Sequence, residues 1–184
     1  MIERAFTMQL TSLRVTAANH KPVRDTYHTA FPKEEQLPWP ILRLISHFPG
    51  GGLTAYYDGD YCGMTFTAAT DSILYVMFLA VEKEHRGQGY GSAILEKLKQ
   101  DYPGRAIYLN VEPLDDNAPN ADERTKRMAF YAKNGFHDSG YEIDEVGGTF
   151  CVLTTDPDFR ANDYQKVFQK LTFGLWKPPI RKVQ

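Results

Sequence analysis

The segment His85-Arg86-Gly87-Gln88-Gly89-Tyr90-Gly91-Ser92 constrains this chain more than any other. It follows the apolar run Ile73 to Val81 and opens the amphipathic stretch Ser92 to Gln100. The run is apolar at successive positions, which suits a central strand covered on both faces. In the stretch after it, Ile94, Leu95 and Leu98 share one helical face, and Glu96, Lys97, Lys99 and Gln100 the other. Three glycines at a strand-to-helix junction cost chain entropy unless the backbone must approach something closely. A helix N-terminus supplies unpaired N–H groups and a partial positive charge, and Arg86 adds a charge-assisted donor. The turn is therefore expected to hold a diphosphate.

The elements around this junction set the fold class. Pro103-Gly104 stops the helix, and Ala106 to Val111 follows as a strand. Strand, helix, strand is a βαβ unit, so 73–81 and 106–111 should pair in parallel. Upstream, Leu53 to Tyr57, the Asp58-Gly59 turn, Tyr61 to Ala69 and the Asp71-Ser72 turn read as an antiparallel meander. Before it come a strand at Gln9 to Val15 and helices at Pro22 to Phe31 and Ile41 to Phe48, the second ended by Pro49-Gly50-Gly51-Gly52. After it come a helix from Asp122 to Asn134, closed by Gly135, and a hairpin of Phe136 to Val146 and Thr149 to Thr154 around Gly147-Gly148. The expected fold is α/β (α+β), a mixed central sheet of six to seven strands with helices on both faces. It divides into a domain at 1–155 and a helical tail at 156–184, which carries Tyr164, Val167, Phe168 and Leu171 at helical spacing. The tail either packs on the domain or mediates self-association as a homodimer.

Bulk features exclude several classes. With 184 residues the chain fits one core, and 21 Lys+Arg against 23 Asp+Glu leave no basic excess for nucleic acid. No apolar run is long enough to span a membrane, and Met1 to Leu13 lacks the pattern of a secretory leader. Cys62 and Cys151 make neither a disulfide framework nor a zinc quartet, and the five histidines show no metal-ligand spacing, so no metal is expected. Cytoplasmic residence is the resulting expectation.

The loop lacks the Gly-Lys-Ser/Thr of a Walker A motif. Its glycines are spaced two and two, unlike the dinucleotide fingerprint. Arg86-x-x-Gly89-x-Gly91 instead resembles the acyl-CoA pyrophosphate loop of the GNAT N-acetyltransferase superfamily. A second stretch, Phe130-Tyr131-Ala132-Lys133-Asn134-Gly135-Phe136, is similar to that family's Tyr-x-x-x-Gly-Phe, and the element order from Gln9 to Thr155 agrees.

The resemblance implies splayed fourth and fifth strands with acetyl-CoA, as coenzyme A thioester, slotted between them. Leu79, Ala80 and Val81 would line its pantetheine arm. Backbone N–H groups of Arg86, Gly87, Gln88, Gly89, Tyr90, Gly91 and Ser92 would hold the diphosphate. A backbone N–H near Leu79 would stabilise the oxyanion. Transfer would be direct attack by the amine of a small molecule or peptide. Tyr131 occupies the family's general-acid position; the alternative for it is a ring packed in the core. A glutamate that some members carry on the fourth strand is replaced by Tyr75, so Glu112 at the end of the fifth strand is the first substitute for a general base; the alternatives are a solvated loop carboxylate there and a water relay for the proton. Arg124 stands where many members have an asparagine seven residues before the tyrosine. Arg124, Lys126 and Arg127 are either a solvated helix face or contacts to cofactor phosphates. The acceptor side would comprise 26–48, with Phe31, Trp39 and Phe48, and 141–148, with Glu142, Asp144 and Glu145. A noncatalytic acyl-CoA-binding sensor on the same fold is the alternative reading.

Overall fold

The structure is a computed structural model that describes residues 8–145 and 148–183. Its elements in chain order are β1 (Thr11–Arg14), α1 (His20–Ala30), α2 (Trp39–Ile45), β2 (Gly51–Asp58), β3 (Asp60–Ala69), β4 (Ile73–Val81), α3 (Tyr90–Asp101), β5 (Ala106–Val111), α4 (Ala121–Lys133), β6 (His137–Glu145), β7 (Gly148–Thr154), α5 (Ala161–Leu171) and β8 (Ile180–Lys182). The strands form a single mixed sheet in the order β1-β2-β3-β4-β5-β7-β6-β8, with β4 and β5 parallel.

Strand alternation assigns the helices to faces. Leu74 and Val76 pack with Ile94, Leu95 and Leu98 of α3, whereas their neighbours Ile73 and Tyr75 pack with Tyr164, Val167 and Phe168 of α5. Successive side chains point to opposite faces. Hence α3 and α5 lie on opposite sides of the sheet. Phe78 and Ala80 join a third cluster with Val23 and Tyr27 of α1 and Leu42 of α2. Among the described residues no helix is long and apolar enough to cross a membrane.

Helices α2 and α3 each start two residues before the expected position, and two features of the sheet differ from the sequence expectation. Among the described residues the sheet has eight strands because the tail contributes β8, which pairs antiparallel with β6 from Tyr141↔Lys182 to Ile143↔Ile180. Three residues beside two prolines carry no alternation to recognise. Gly51 and Gly52, expected only to end a helix, begin β2 opposite Ala68 and Thr67. A Cβ on Gly51 would lie 2.3 Å from the Ile45 carbonyl oxygen, so only glycine lets the strand start beneath the end of α2. Val146 and Gly147, within the expected final hairpin, lie outside the described residues, as do 1–7 and 184.

The feature that positions the site is a fork. β4 and β5 pair only at Ile73↔Ala106, Leu74↔Ile107 and Tyr75↔Tyr108, yet β4 runs on to Val81 and β5 to Val111. A bulge lies just past the last pair: Thr67 faces Val76 and Phe66 faces Phe78, leaving Met77 without a partner on β3. A bulge bends its strand and increases its twist, which carries β4 away from β5.

Candidate active site

The fork exposes backbone that a regular sheet would pair. Glu82 N–H donates to the Cys62 carbonyl on β3 at 2.9 Å. Main-chain groups of successive strand residues point to opposite edges. Those of Val81 and Leu79 therefore face away from β3, into the gap, and those of Ala80 face β3. Ala80 thus offers the gap no main-chain group, and its side chain is buried with Phe78 on the opposite side of β4 from Leu79 and Val81, which corrects its place among the expected cofactor contacts. Across the gap, Thr155 N–H donates to the Ile107 carbonyl, so the main chain of Asn110 faces β4. Unpaired groups on both walls suit a ligand that carries its own amides.

The glycine loop lies next to the fork. Gly87 (φ 75°) and Gly89 (φ 93°) are left-handed, and Gly89 caps the N-terminus of α3. Gly91 serves packing: a Cβ there would lie 3.0 Å from the Phe130 ring of α4. The N–H groups from Gly87 to Ser92 donate to no acceptor at hydrogen-bonding geometry among the described residues, and the first bond of α3 is Ala93 N–H to Gly89 O. Side chains here are occupied elsewhere. Arg86 Nε donates to the Val81 carbonyl (3.1 Å), Gln88 Nε2 to the Glu84 carbonyl (2.7 Å) and Tyr90 Oη to Asp58 Oδ2 (3.0 Å). The loop can thus hold an anion through its backbone, with the rest of the Arg86 guanidinium at the edge.

The fork opens into a cleft of about 830 Å³, lined on one side by Val76 to Leu79 and on the other by Leu109 to Glu112. Tyr131 of α4 reaches it, its ring edge-on to Phe130 and Phe136. Burial pushes the Tyr131 hydroxyl up to about 12, against the opposing charge of Arg127. Its hydroxyl makes no hydrogen bond among the described residues.

Glu112 lines the same cleft but is not free. Arg127 Nη1 lies 2.7 Å and Arg124 Nη2 2.9 Å from its carboxylate, and Asn120 Nδ2 donates to both oxygens at 3.2 Å. Burial pushes its carboxyl up, but the bonds from Arg127 and Asn120 and the charge of Arg124 outweigh it and hold the group below its ordinary range. A carboxylate bound this way resists taking a proton, which speaks against the expected role as general base. The same contacts engage the Arg124 and Arg127 guanidinium groups with Glu112 rather than with phosphates, while Lys126 is exposed.

On the acceptor side, Glu142 and Asp144 both pair with Arg181 of β8, while alternation turns Glu145, with Ile143, to the α5 face and into the cleft. Phe31 lines the cleft, Phe48 packs edge-on against Phe173, and Trp39 lines a separate shallow surface pocket. Beneath the fork lies a polar group that sequence reasoning missed. Tyr164 Oη donates to Asn110 Oδ1 (3.0 Å), leaving the Asn110 amide hydrogens for Tyr75 Oη (2.9 Å) and Glu145 Oε1 (3.1 Å). The available signal was Asn110 itself, a polar residue inside an apolar strand that requires partners. Burial raises the Glu145 carboxyl, Asn110 partly opposes this, and the charge of Glu35 adds to it. Glu35, also in the cleft, is raised chiefly by burial and then by Glu112.

Residues 49–138 match the family model described as the acetyltransferase (GNAT) domain. The chain is 38% identical over 69 residues to the Bacillus subtilis protein YjbC, covering 38% of this chain and 33% of that one. It is 35% identical over 105 residues to the N-alpha-acetyltransferase 60 of Xenopus tropicalis, covering 53% and 39%. It therefore spans between a third and two fifths of these relatives' lengths. A GNAT-family structure from Bacteroides thetaiotaomicron superposes with TM-score 0.71 at 22% identity, over 90% of this chain and 99% of that one. Another, from Elizabethkingia anophelis with acetyl-CoA bound, gives 0.57 at 16% over 80% and 97%. The structural likenesses show a shared fold.

Proposed function

Because this chain carries a GNAT acetyltransferase domain, we propose that it moves the acetyl group of acetyl-CoA to a primary amine by direct attack. The observation that carries this reading is the fork of β4 and β5, with unpaired backbone on both walls, free loop N–H groups beside it and Tyr131 in the cleft it opens. The bound acetyl-CoA of the Elizabethkingia relative supports the choice of co-substrate.

The pantetheine arm lies between β4 and β5, its amides pairing with main-chain groups of Leu79 and Asn110. The Val81 carbonyl already accepts from Arg86, so its N–H is the group left for the arm. The diphosphate sits on the N–H groups of Gly87 to Ser92 at the start of α3. An amine nitrogen, neutral on attack, forms its bond to the thioester carbon, and a backbone N–H at the bulge meets the oxyanion. The C–S bond then breaks, the sulfur leaves as thiolate, and the second proton of the nitrogen passes to that thiolate, giving the free thiol. Tyr131 is neutral at any working pH because burial holds its hydroxyl at about 12. Full transfer from it to a thiolate whose conjugate acid is near 8.5 is uphill. Its task is to hydrogen-bond the sulfur as charge develops. Glu112 orients Arg127 and Arg124 beside the cleft, and the amine proton goes to a cleft carboxylate of raised proton affinity.

The noncatalytic sensor reading is favoured by one observation, the ion pairing of Glu112, which removes the expected base. Free-thiol release with acetyl-CoA and a panel of amines separates the two. Amine-dependent release is expected; micromolar acetyl-CoA binding with release no faster than background hydrolysis would leave only the sensor.

A further inference from the structure

The matched family model ends at residue 138, yet the far wall of the cleft comes from beyond it. Phe150 of β7, Phe168 and Leu171 of α5, and Thr172 and Trp176 after α5 all line the cleft, facing Phe31 and Ile45 from the first part of the chain. The connection after α5 is held in place. Thr172 Oγ1 accepts from Trp176 N–H at 3.1 Å, and the Trp176 ring stands edge-on to Phe168 at 5.1 Å. Phe173 has φ 52°, an uncommon left-handed conformation for a residue with a side chain, and packs on Phe48 at 4.9 Å. These contacts clasp the tail onto the connection between α2 and β2, on the acceptor side of the fork. Among the described residues the cleft is lined by Glu34, Glu35, Glu112, Glu123 and Glu145, with Arg127, which Glu112 holds; Glu145 at the end of β6 and Glu35 in the turn before α2 are the two whose carboxyls burial raises. Glu145 uses Oε1 for Asn110, and Oε2 makes no hydrogen bond among the described residues.

Resting on the acetyltransferase reading, we propose that the tail segment Ala161–Trp176 builds the acceptor pocket, and that the pocket takes a primary amine with an apolar, preferably aromatic, body. The ammonium meets Glu145 and Glu35, and the body lies against Phe168, Leu171 and Trp176. Charge complementarity selects the cation, and the aromatic wall selects its body. Glu145 Oε2 takes one proton from the ammonium, leaving the neutral nitrogen that attacks the thioester. An arylalkylamine and a peptide N-terminus on an apolar residue share this chemistry.

The test is titration calorimetry on the full chain saturated with coenzyme A, with 2-phenylethylamine, ethanolamine and a Phe-Gly-Gly peptide as probes. Phenylethylamine should bind at least tenfold more tightly than ethanolamine. Trp176→Ala should abolish most of that difference and leave acetyl-CoA affinity within twofold, while Leu175→Ala, an exposed neighbour outside the cleft, should change neither. Glu145→Gln should weaken both amines and remove the acidic limb from kcat/KM against pH. Tighter binding of the peptide than of phenylethylamine would assign the pocket to chain termini; the reverse would assign it to free arylalkylamines. Equal or tighter binding of ethanolamine, or an unchanged preference in Trp176→Ala, would overturn the proposal. Turnover is read separately: acetylation of ethanolamine alone would keep the acetyltransferase and discard this pocket. Apolar-selective binding with no amine-dependent thiol release would do the reverse.

Discussion

Tyr131 and Glu112 lie on the same cleft with opposite electrostatics. Burial dominates at Tyr131 and keeps it protonated, whereas at Glu112 the bonds from Arg127 and Asn120 and the charge of Arg124 together outweigh burial and keep it ionised. Tyr131→Phe should lower kcat by about a hundredfold, the lower end of what one preorganised hydrogen-bond donor contributes in the transition state. Acetyl-CoA affinity should stay within twofold, since the proposed hydrogen bond to sulfur gains strength only as charge develops; an unchanged kcat would remove Tyr131 from its role. Glu112 makes a stability prediction instead. Its pKa is depressed in the folded chain, so its stabilising contribution is full above the ordinary carboxylate value, about 4.3, and is lost as pH falls through the lower folded value. Glu112→Gln should cost roughly 1–2 kcal/mol at pH 7. Urea midpoints of the two proteins should converge as pH falls below the ordinary carboxylate range; a gap independent of pH would contradict the ion pairing.

At the scale of elements, two junctions make the site: the loop before α3 and the bulge in β4. Gly89 is left-handed and caps α3, so Gly89→Ala should cost roughly 1–2 kcal/mol through backbone strain alone. Acetyl-CoA affinity should fall at least tenfold, read by calorimetry, because the same strain turns the loop N–H groups away. Affinity equal to that of the original chain would contradict the loop assignment. The loop was legible because glycine, charge and helix onset are local signals. Strands β4 and β5 were legible to the residue because their apolar runs are bounded by turns. The bulge was not, since an extra residue in a strand apolar on both faces breaks no alternation. Glu112 was misread for a related reason: its position at a strand end is visible in the sequence, whereas the convergence of Asn120, Arg124 and Arg127 on it depends on how α4 lies across β5.

Across the whole molecule, the C-terminal part is continuous with the rest in both sheet and core. α5 buries Tyr164, Val167, Phe168 and Leu171, the residues whose spacing marked it, against Tyr75, Tyr108 and Ile143. Its tie to the site is Tyr164, which donates to Asn110 beneath the fork. Tyr164→Phe leaves the ring in place and strands the Asn110 oxygen, and should cost about 1–3 kcal/mol by chemical denaturation. Glu145 shares that amide, so the same variant should shift the acidic limb of kcat/KM against pH; a change in stability with no shift would separate the core from the site.

The fork between β4 and β5 is the proposed seat of the acyl arm. A crystal structure grown with acetyl-CoA tests this most directly. Pantetheine density is expected between the main chains of Leu79 and Asn110, the diphosphate on Gly87 to Ser92, and the thioester within hydrogen-bonding reach of Tyr131. Acetyl-CoA bound outside the fork, or β4 and β5 zipped together past Tyr75 and Tyr108 with the ligand elsewhere, would contradict that placement.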